Sequence, residues 1–332
     1  MKAIVFDRFG EPAEVLRVGE AAAAEPGAGQ VRVRMLASPI NPSDLLSVRG
    51  MYGKLPRLPA TPGFEGVGVV DKAGPGFLKW LRGLKPGRRV AVLNGNGGNW
   101  QQQVIVPARV LVPVPSDLRD EQVACFFVNP ATALIMTRWL LKVPRGGWLL
   151  QTAAASELGK MVIRLGKHHG FRTLNVVRRR EQAEMLLKLG GDAAVATNDE
   201  NLDERVRSLT GGEGVGYAID AVGGQTALAA LRCLGTGGRM LVYGTLANEP
   251  MPVDTRLLIS GQKRIEGFWL SEWVRMQGIP TMLRLFREIK KLMRAGVLVT
   301  DIGQSFPMEE IAAAARLAET PGRPGKVLIR LG

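Results

Sequence analysis

The sequence predicts an α/β protein of two domains, one an irregular β-barrel and the other a doubly wound parallel sheet. Three observations carry this reading. At 332 residues the chain exceeds the roughly 250–300 residues that one hydrophobic core usually supports. Its first third is a run of short β-prone segments separated by Gly and Pro. From about residue 121, β-prone and helical segments alternate, as consecutive βαβ units do.

In chain order, Lys2–Phe6, Val31–Leu36, Gly66–Asp71, Arg89–Leu93 and Val104–Pro107 read as barrel strands. Asp120–Leu141 reads as a helical stretch broken at Pro130. A strand at Trp148–Thr152, a helix over Ser156–His169, a strand at Thr173–Val177 and a helix over Arg180–Leu189 follow. Short strands come next at Ala193–Ala196, Gly216–Ala221, Arg239–Tyr243 and Arg264–Phe268, with a helix at Gln225–Leu234. The chain ends in helical patterns over Pro280–Ala295 and Met308–Ala318 and a strand at Lys326–Leu331. The expected domains are 1–121 with 292–332 for the barrel and 122–291 for the parallel sheet.

Composition, at 46% hydrophobic and 22% charged, is that of a globular protein. No apolar run reaches the ~18 residues that a membrane helix needs, so no membrane partner is expected. Asp7 and Arg8 interrupt the N-terminal apolar residues too early for a secretory leader, which makes a cytoplasmic location the expectation. Cys125 and Cys233 have apolar neighbours and read as buried free thiols. The net charge of +14 is scattered except at Arg178–Arg180 and around Lys290 and Lys291. Without a recognisable nucleic-acid module, a small-molecule partner is expected rather than a nucleic acid.

The strongest chemical signal is the segment from Trp148 to Gly159, Trp-Leu-Leu-Gln-Thr-Ala-Ala-Ala-Ser-Glu-Leu-Gly. It joins the first strand and helix of the βαβ series. Small residues let the backbone approach a pyrophosphate, and the helix start offers N–H groups and a positive dipole end. Glu157 stands at a usual glycine position, so its side chain is expected to point outward, away from a phosphate. About twenty residues on, the second strand ends in Arg178-Arg179-Arg180, where NAD-binding proteins carry an acid for the ribose 2′-hydroxyl. Cations there favour a 2′-phosphate, and NADPH is the expected cofactor.

With these residues in view, the whole chain, closing Gly325-Lys326-Val327 included, resembles the medium-chain dehydrogenase/reductase superfamily. Its members join a GroES-like catalytic domain to a Rossmann domain. Zinc alcohol dehydrogenases of this superfamily use a Cys in a first catalytic loop and a Gly-His-Glu further on. The corresponding residues here are Asn41 and Gly63-Phe64-Glu65, so the zinc donor set is missing and no metal is expected. The segments Pro39–Asp44, Gly50–Gly53, Val128–Thr132, Asn175–Arg178 and Gly267–Trp273 are similar to the zinc-free quinone reductases and mitochondrial-type 2-enoyl thioester reductases.

That resemblance implies NADPH-dependent reduction of an activated C=C bond, most closely that of an enoyl thioester. A quinone or alkenal is the alternative substrate, and a non-catalytic nucleotide-binding relative the remote one. Tyr52 is the implied proton donor, against a reading in which it only packs beside the substrate or stacks on the nicotinamide; a phenol of ordinary pKa ~10 is protonated near neutrality. Asn41 and Thr132 match positions near the nicotinamide and its ribose; a loop Asn before Pro42 is also ordinary turn chemistry. Ala155, Ser156, Glu157, Leu158 and Arg178 are expected to hold the nucleotide phosphates. Tyr243, Phe268, Trp269, Leu270 and Lys326 complete the expected cofactor contacts. Tyr52, Trp269 and Trp273 are the expected substrate-pocket residues, with core or subunit-interface packing as the alternative for both tryptophans. A homodimer is expected from the family. If Arg178 selects the cofactor, catalytic efficiency with NADPH exceeds that with NADH, and equal efficiencies would contradict it.

Overall fold

A computed structural model describes residues 1–22, 24–53, 55–75 and 83–332. The chain folds into two compact units, Met1–Val128 with Val299–Gly332, and Asn129–Leu298.

In the first unit the strand Gln30–Pro39 organises a mostly antiparallel barrel. Val31, Val33 and Met35 alternate into the core, as the two-residue period of a strand requires. One edge of this strand pairs with Glu65–Ala73. On the other edge, Gln30–Arg34 pair with Gln103–Pro107 and Ala37–Pro39 pair with Lys326–Arg330. Two shifts of register against Glu65–Ala73 mark the bends that let one strand serve three partners. The core between these strands includes Ile4, Phe6, Met35, Ile40 and Trp100. A strand at Ile302–Pro307, unsignalled in the sequence, runs parallel to Lys326–Arg330 and reaches it through the helix Ile311–Glu319.

The helical stretch 120–141 breaks elsewhere than expected. Helices cover Asp120–Ala124 and Val128–Leu134, and a wider helical turn runs on through Ile135–Leu140. Pro130 lies in the first turn of its helix, where a missing N–H costs nothing. The break falls at Cys125–Phe127, because the N–H groups of Phe127 and Val128 donate to the Glu65 carboxylate of the barrel. The same bonds explain why the first unit extends to Val128 rather than 121; the return falls at Val299 rather than 292.

The second unit holds a parallel sheet, six-stranded among the described residues. Its strands are β1 (Trp148–Gln151), β2 (Arg172–Val177), β3 (Ala193–Ala196), β4 (Val215–Asp220), β5 (Leu234–Val242) and β6 (Arg264–Gly267). Their order is 3-2-1-4-5-6, the Rossmann arrangement, with α1 (Glu157–His169) crossing from β1 to β2. The order reverses between β1 and β4, which places a crevice at their carboxyl ends. Thr152 ties the ends of β1 and β4 together: its hydroxyl donates to Asp220 at 2.6 Å and accepts the Ala221 N–H at 3.0 Å. The helix Leu202–Thr210 was not signalled, since its buried side is only Leu202 and Val206.

Gly63 takes a positive φ of 102°, and a Cβ there would lie 2.4 Å from the buried Trp100 ring. Gly63→Ala therefore lowers stability by at least about 2 kcal/mol in denaturant unfolding, combining backbone strain with overpacking. A loss below about 0.5 kcal/mol, the size of a neutral surface change, would contradict this packing.

Candidate functional site

Strand pairing in the first unit gathers four polar residues from distant parts of the sequence. Leu328 lies opposite Pro39 and the Ile40 N–H donates to the Val327 carbonyl, so Lys326 arrives beside Asn41. The Lys326 ammonium donates to Asn41 Oδ1 at 2.5 Å. Asn41 Nδ2 donates to Glu65 Oε1 at 3.1 Å, while Glu65 Oε2 accepts the N–H groups of Phe127 and Val128 at 2.9 and 3.0 Å. Asp44 accepts from the N–H groups of Asn41 at 2.7 Å and Phe64 at 3.0 Å. All four residues are buried, Lys326 being the most exposed at 3%.

Burial pushes the Asp44 carboxyl up to about 7, against its backbone hydrogen bonds and the Lys326 charge. Burial likewise pushes Glu65 up, opposed by its three donors, and pushes Lys326 down, opposed by Cys125, Glu65 and Asp44. An uncompensated ion in such a place is costly, so the ammonium and the carboxylates depend on one another. Asn41 stands at the N-cap of the helix Pro42–Val48, where its N–H donates to Asp44. Its amide joins Lys326 to Glu65, and Lys326, expected at the cofactor, directs its ammonium to this bond.

In the second unit the turn after β1 has the backbone of a phosphate site. Ala153 takes a positive φ of 47°, and the Ala154 N–H donates to Val176 of β2 at 3.2 Å. The Ser156 hydroxyl accepts the Gly159 N–H at 3.1 Å and caps α1. A Cβ on Gly159 would lie 2.2 Å from the Ala154 carbonyl oxygen, so only glycine lets helix and turn approach this closely. Gln151 ties the crossing by donating to the Gly159 carbonyl and to Asn175. Arg178 follows β2 with its side chain in solvent, its carbonyl held by the Asn198 N–H at 3.1 Å.

The expectation that Glu157 points outward is corrected. Glu157 is 9% exposed, and its carboxylate pairs with Lys160, one helical turn on. The i, i+3 spacing puts both side chains on one face of α1, where the ammonium neutralises the carboxylate.

The expected nucleotide residues of this unit lie mostly along the carboxyl edge of the sheet. Ala155–Leu158 follow β1, Arg178 follows β2, and Tyr243 follows β5, its N–H donating to the Asp220 carbonyl. Phe268, Trp269 and Leu270 follow β6, and the Phe268 N–H donates to Val242. Thr132 is buried on the helix Val128–Leu134. Trp269 is 42% exposed, whereas Trp273 is half-buried with its ring 5.7 Å from that of Trp139. Tyr52, in the first unit, is half-buried with its ring 5.4 Å from that of Phe64. The close-approach turn, the capped helix start and the cation after β2 fit a dinucleotide bearing a 2′-phosphate.

Sequence reasoning gave no role to Asp44, Glu65 or Lys160. The Asn-x-x-Asp spacing at 41–44 resembles a capping box, and Glu157 with Lys160 has pairing spacing, so two of the three were signalled. Glu65 stood out only within Gly63-Phe64-Glu65, and its partners left no local signal because they come from residues 41 and 127–128. Among the described residues, no group of three or more His, Cys, Asp or Glu is arranged to hold a metal ion.

Comparison with known proteins agrees with both units. The alcohol dehydrogenase GroES-like domain model matches residues 27–116, and the zinc-binding dehydrogenase model matches residues 158–288. Mitochondrial enoyl-[acyl-carrier-protein] reductase of Homo sapiens is 31% identical over 335 residues, covering all of this chain and 89% of the relative. The crystal structure of Escherichia coli quinone oxidoreductase complexed with NADPH superposes with a TM-score of 0.91 at 26% identity, covering 99% of this chain and 100% of that one. A crystal structure of 2-haloacrylate reductase gives 0.85 at 27% identity, covering 99% of each chain. The fold and both domain models define a medium-chain dehydrogenase/reductase. Within that superfamily the chain belongs to the zinc-free branch of enoyl thioester and quinone reductases.

Lys326→Met leaves Asp44 and Glu65 buried without their cation. It should destabilise the protein by about 3–5 kcal/mol in denaturant unfolding, and adding Glu65→Gln should recover part of the loss. A change below about 1 kcal/mol in the single variant would show that the ammonium does not hold this cluster together.

Proposed function

We propose that the protein reduces the activated C=C bond of a 2-enoyl thioester with NADPH. The observation that carries this reading is the carboxyl edge of the second sheet, ending in Arg178, in a chain alike over its whole length to an enoyl reductase. The three named relatives, by their names, act on enoyl thioesters, quinones and haloacrylates. What these have in common is a carbon–carbon double bond conjugated to a carbonyl or carboxyl group.

Bound NADPH supplies the hydride that adds to the β-carbon of such an acceptor. Arg178 would receive the 2′-phosphate with its planar guanidinium, and the turn 153–159 would receive the pyrophosphate on backbone N–H groups. Tyr52 would give its phenol proton to the α-carbon, completing the reduction. Burial and the Asp220 charge push Tyr243 above the ordinary phenol range, which makes it a poor proton donor.

A quinone or alkenal substrate is the second reading, favoured by the likeness to Escherichia coli quinone oxidoreductase. The edge strand β6 has one partner, β5, among the described residues, and Ile259, Ile279 and Leu283 on helices flanking it in sequence are exposed; these features support a homodimer. Cys125 and Cys233 are buried free thiols, in keeping with a reducing compartment such as the cytoplasm.

NADPH oxidation is expected with crotonyl-CoA, and strong turnover of a quinone alone would contradict the thioester reading. Tyr52→Phe should lower kcat by about 10²–10⁴-fold with little change in KM. Unchanged turnover would remove Tyr52 as the proton donor.

A further inference from the structure

The turn that would hold the cofactor pyrophosphate carries a negative charge of its own. Glu157 is the first residue of α1, next to the Ser156 cap, and is nearly buried. A helix start presents only about half a positive charge to a phosphate, so one full carboxylate charge there would reverse its sign. At an effective dielectric near 20, a like charge roughly 6–12 Å from a phosphate weakens binding by roughly 10–100-fold.

We infer that Lys160 is a cofactor-positioning residue, cancelling the Glu157 charge so that the turn can accept a pyrophosphate. Lys160 is the one cation in the turn sequence 152–160. Its ammonium pairs with the Glu157 carboxylate, and the two side chains are 10% and 8% exposed, so solvent screens the pair little. Neither neighbour can replace it. Gly159 is fixed by its approach to Ala154, and the Ser156 hydroxyl is committed to the Gly159 N–H. This inference rests on the reading of the turn given under the proposed function.

The test is equilibrium binding of NADP⁺ and of 2′-AMP by calorimetry to the full chain and three variants. NADP⁺ places a pyrophosphate on the turn, whereas 2′-AMP offers only the group read by Arg178. Lys160→Met should weaken NADP⁺ at least about tenfold and leave 2′-AMP within about twofold. Glu157→Ala should bind NADP⁺ as tightly as the unaltered protein or more tightly. The double variant should return to within about threefold of it, since neither charge then remains. Equal weakening of NADP⁺ by both single variants would overturn the inference, because the pair would then be a structural tie. Equal weakening of both ligands by Lys160→Met would overturn it as well. Should Lys160→Met fail to fold, Glu157→Ala decides alone, and a tenfold loss of NADP⁺ there counts against the inference. If the unaltered protein binds neither ligand, the reading of the turn itself fails, and the inference with it.

Discussion

The hydrogen bond from the Lys326 ammonium to Asn41 is the constraint on which the first unit turns. It joins residues 285 positions apart and ties the last strand to the loop after Gln30–Pro39. Through Asn41 it reaches Glu65, and through Glu65 the backbone of Phe127 and Val128, where the chain leaves the barrel. Asp44 fastens the same loop to Phe64. In the zinc alcohol dehydrogenases that the sequence resembles, the positions of Asn41 and Phe64 carry metal ligands. Here a buried ammonium and two carboxylates bring together the segments that such a metal would join. Their hydrogen bonds are directional and fully enclosed, which suits a fixed geometry better than a net gain in stability.

The second unit solves a different electrostatic problem. Its turn after β1 needs small residues for close approach, and Gly159 with Ala153–Ala155 supplies them. Glu157 breaks the usual composition, and Lys160 restores the charge balance from one helical turn away. The cation after β2 then meets the solvent-facing end of the site, where an arginine is well suited to a 2′-phosphate. Both units therefore bury carboxylates, and in both a lysine balances them.

The architecture was largely legible in the sequence because periodicity reports on faces. Six parallel strands and the crossing α1 follow from apolar runs and Gly punctuation, and the closing strand Lys326–Arg330 from its Val-Leu-Ile core. What escaped was set by long-range contacts. Pro130 drew the expected helix break to itself, although the break belongs to Glu65, sixty residues upstream, whose donors lie at 127 and 128. Ile302–Pro307 has too few large apolar residues to signal a strand and is one only because Lys326–Arg330 lies beside it. The outward Glu157 followed from repulsion alone, and its partner at i+3 was overlooked. Tyr52 and Asn41 were singled out by resemblance and Arg178 by its offset from the turn after β1, whereas the internal ties of Asn41 left no local mark.

The central claim is that protein side chains alone, Lys326 foremost, organise the barrel unit where relatives use a metal. Elemental analysis of the active enzyme before and after exhaustive chelation tests it most directly. The account predicts substoichiometric metal throughout, with crotonyl-CoA reduction and thermal stability unchanged by chelation. One tightly held metal per chain, whose removal abolishes activity and lowers the Tm, would contradict it.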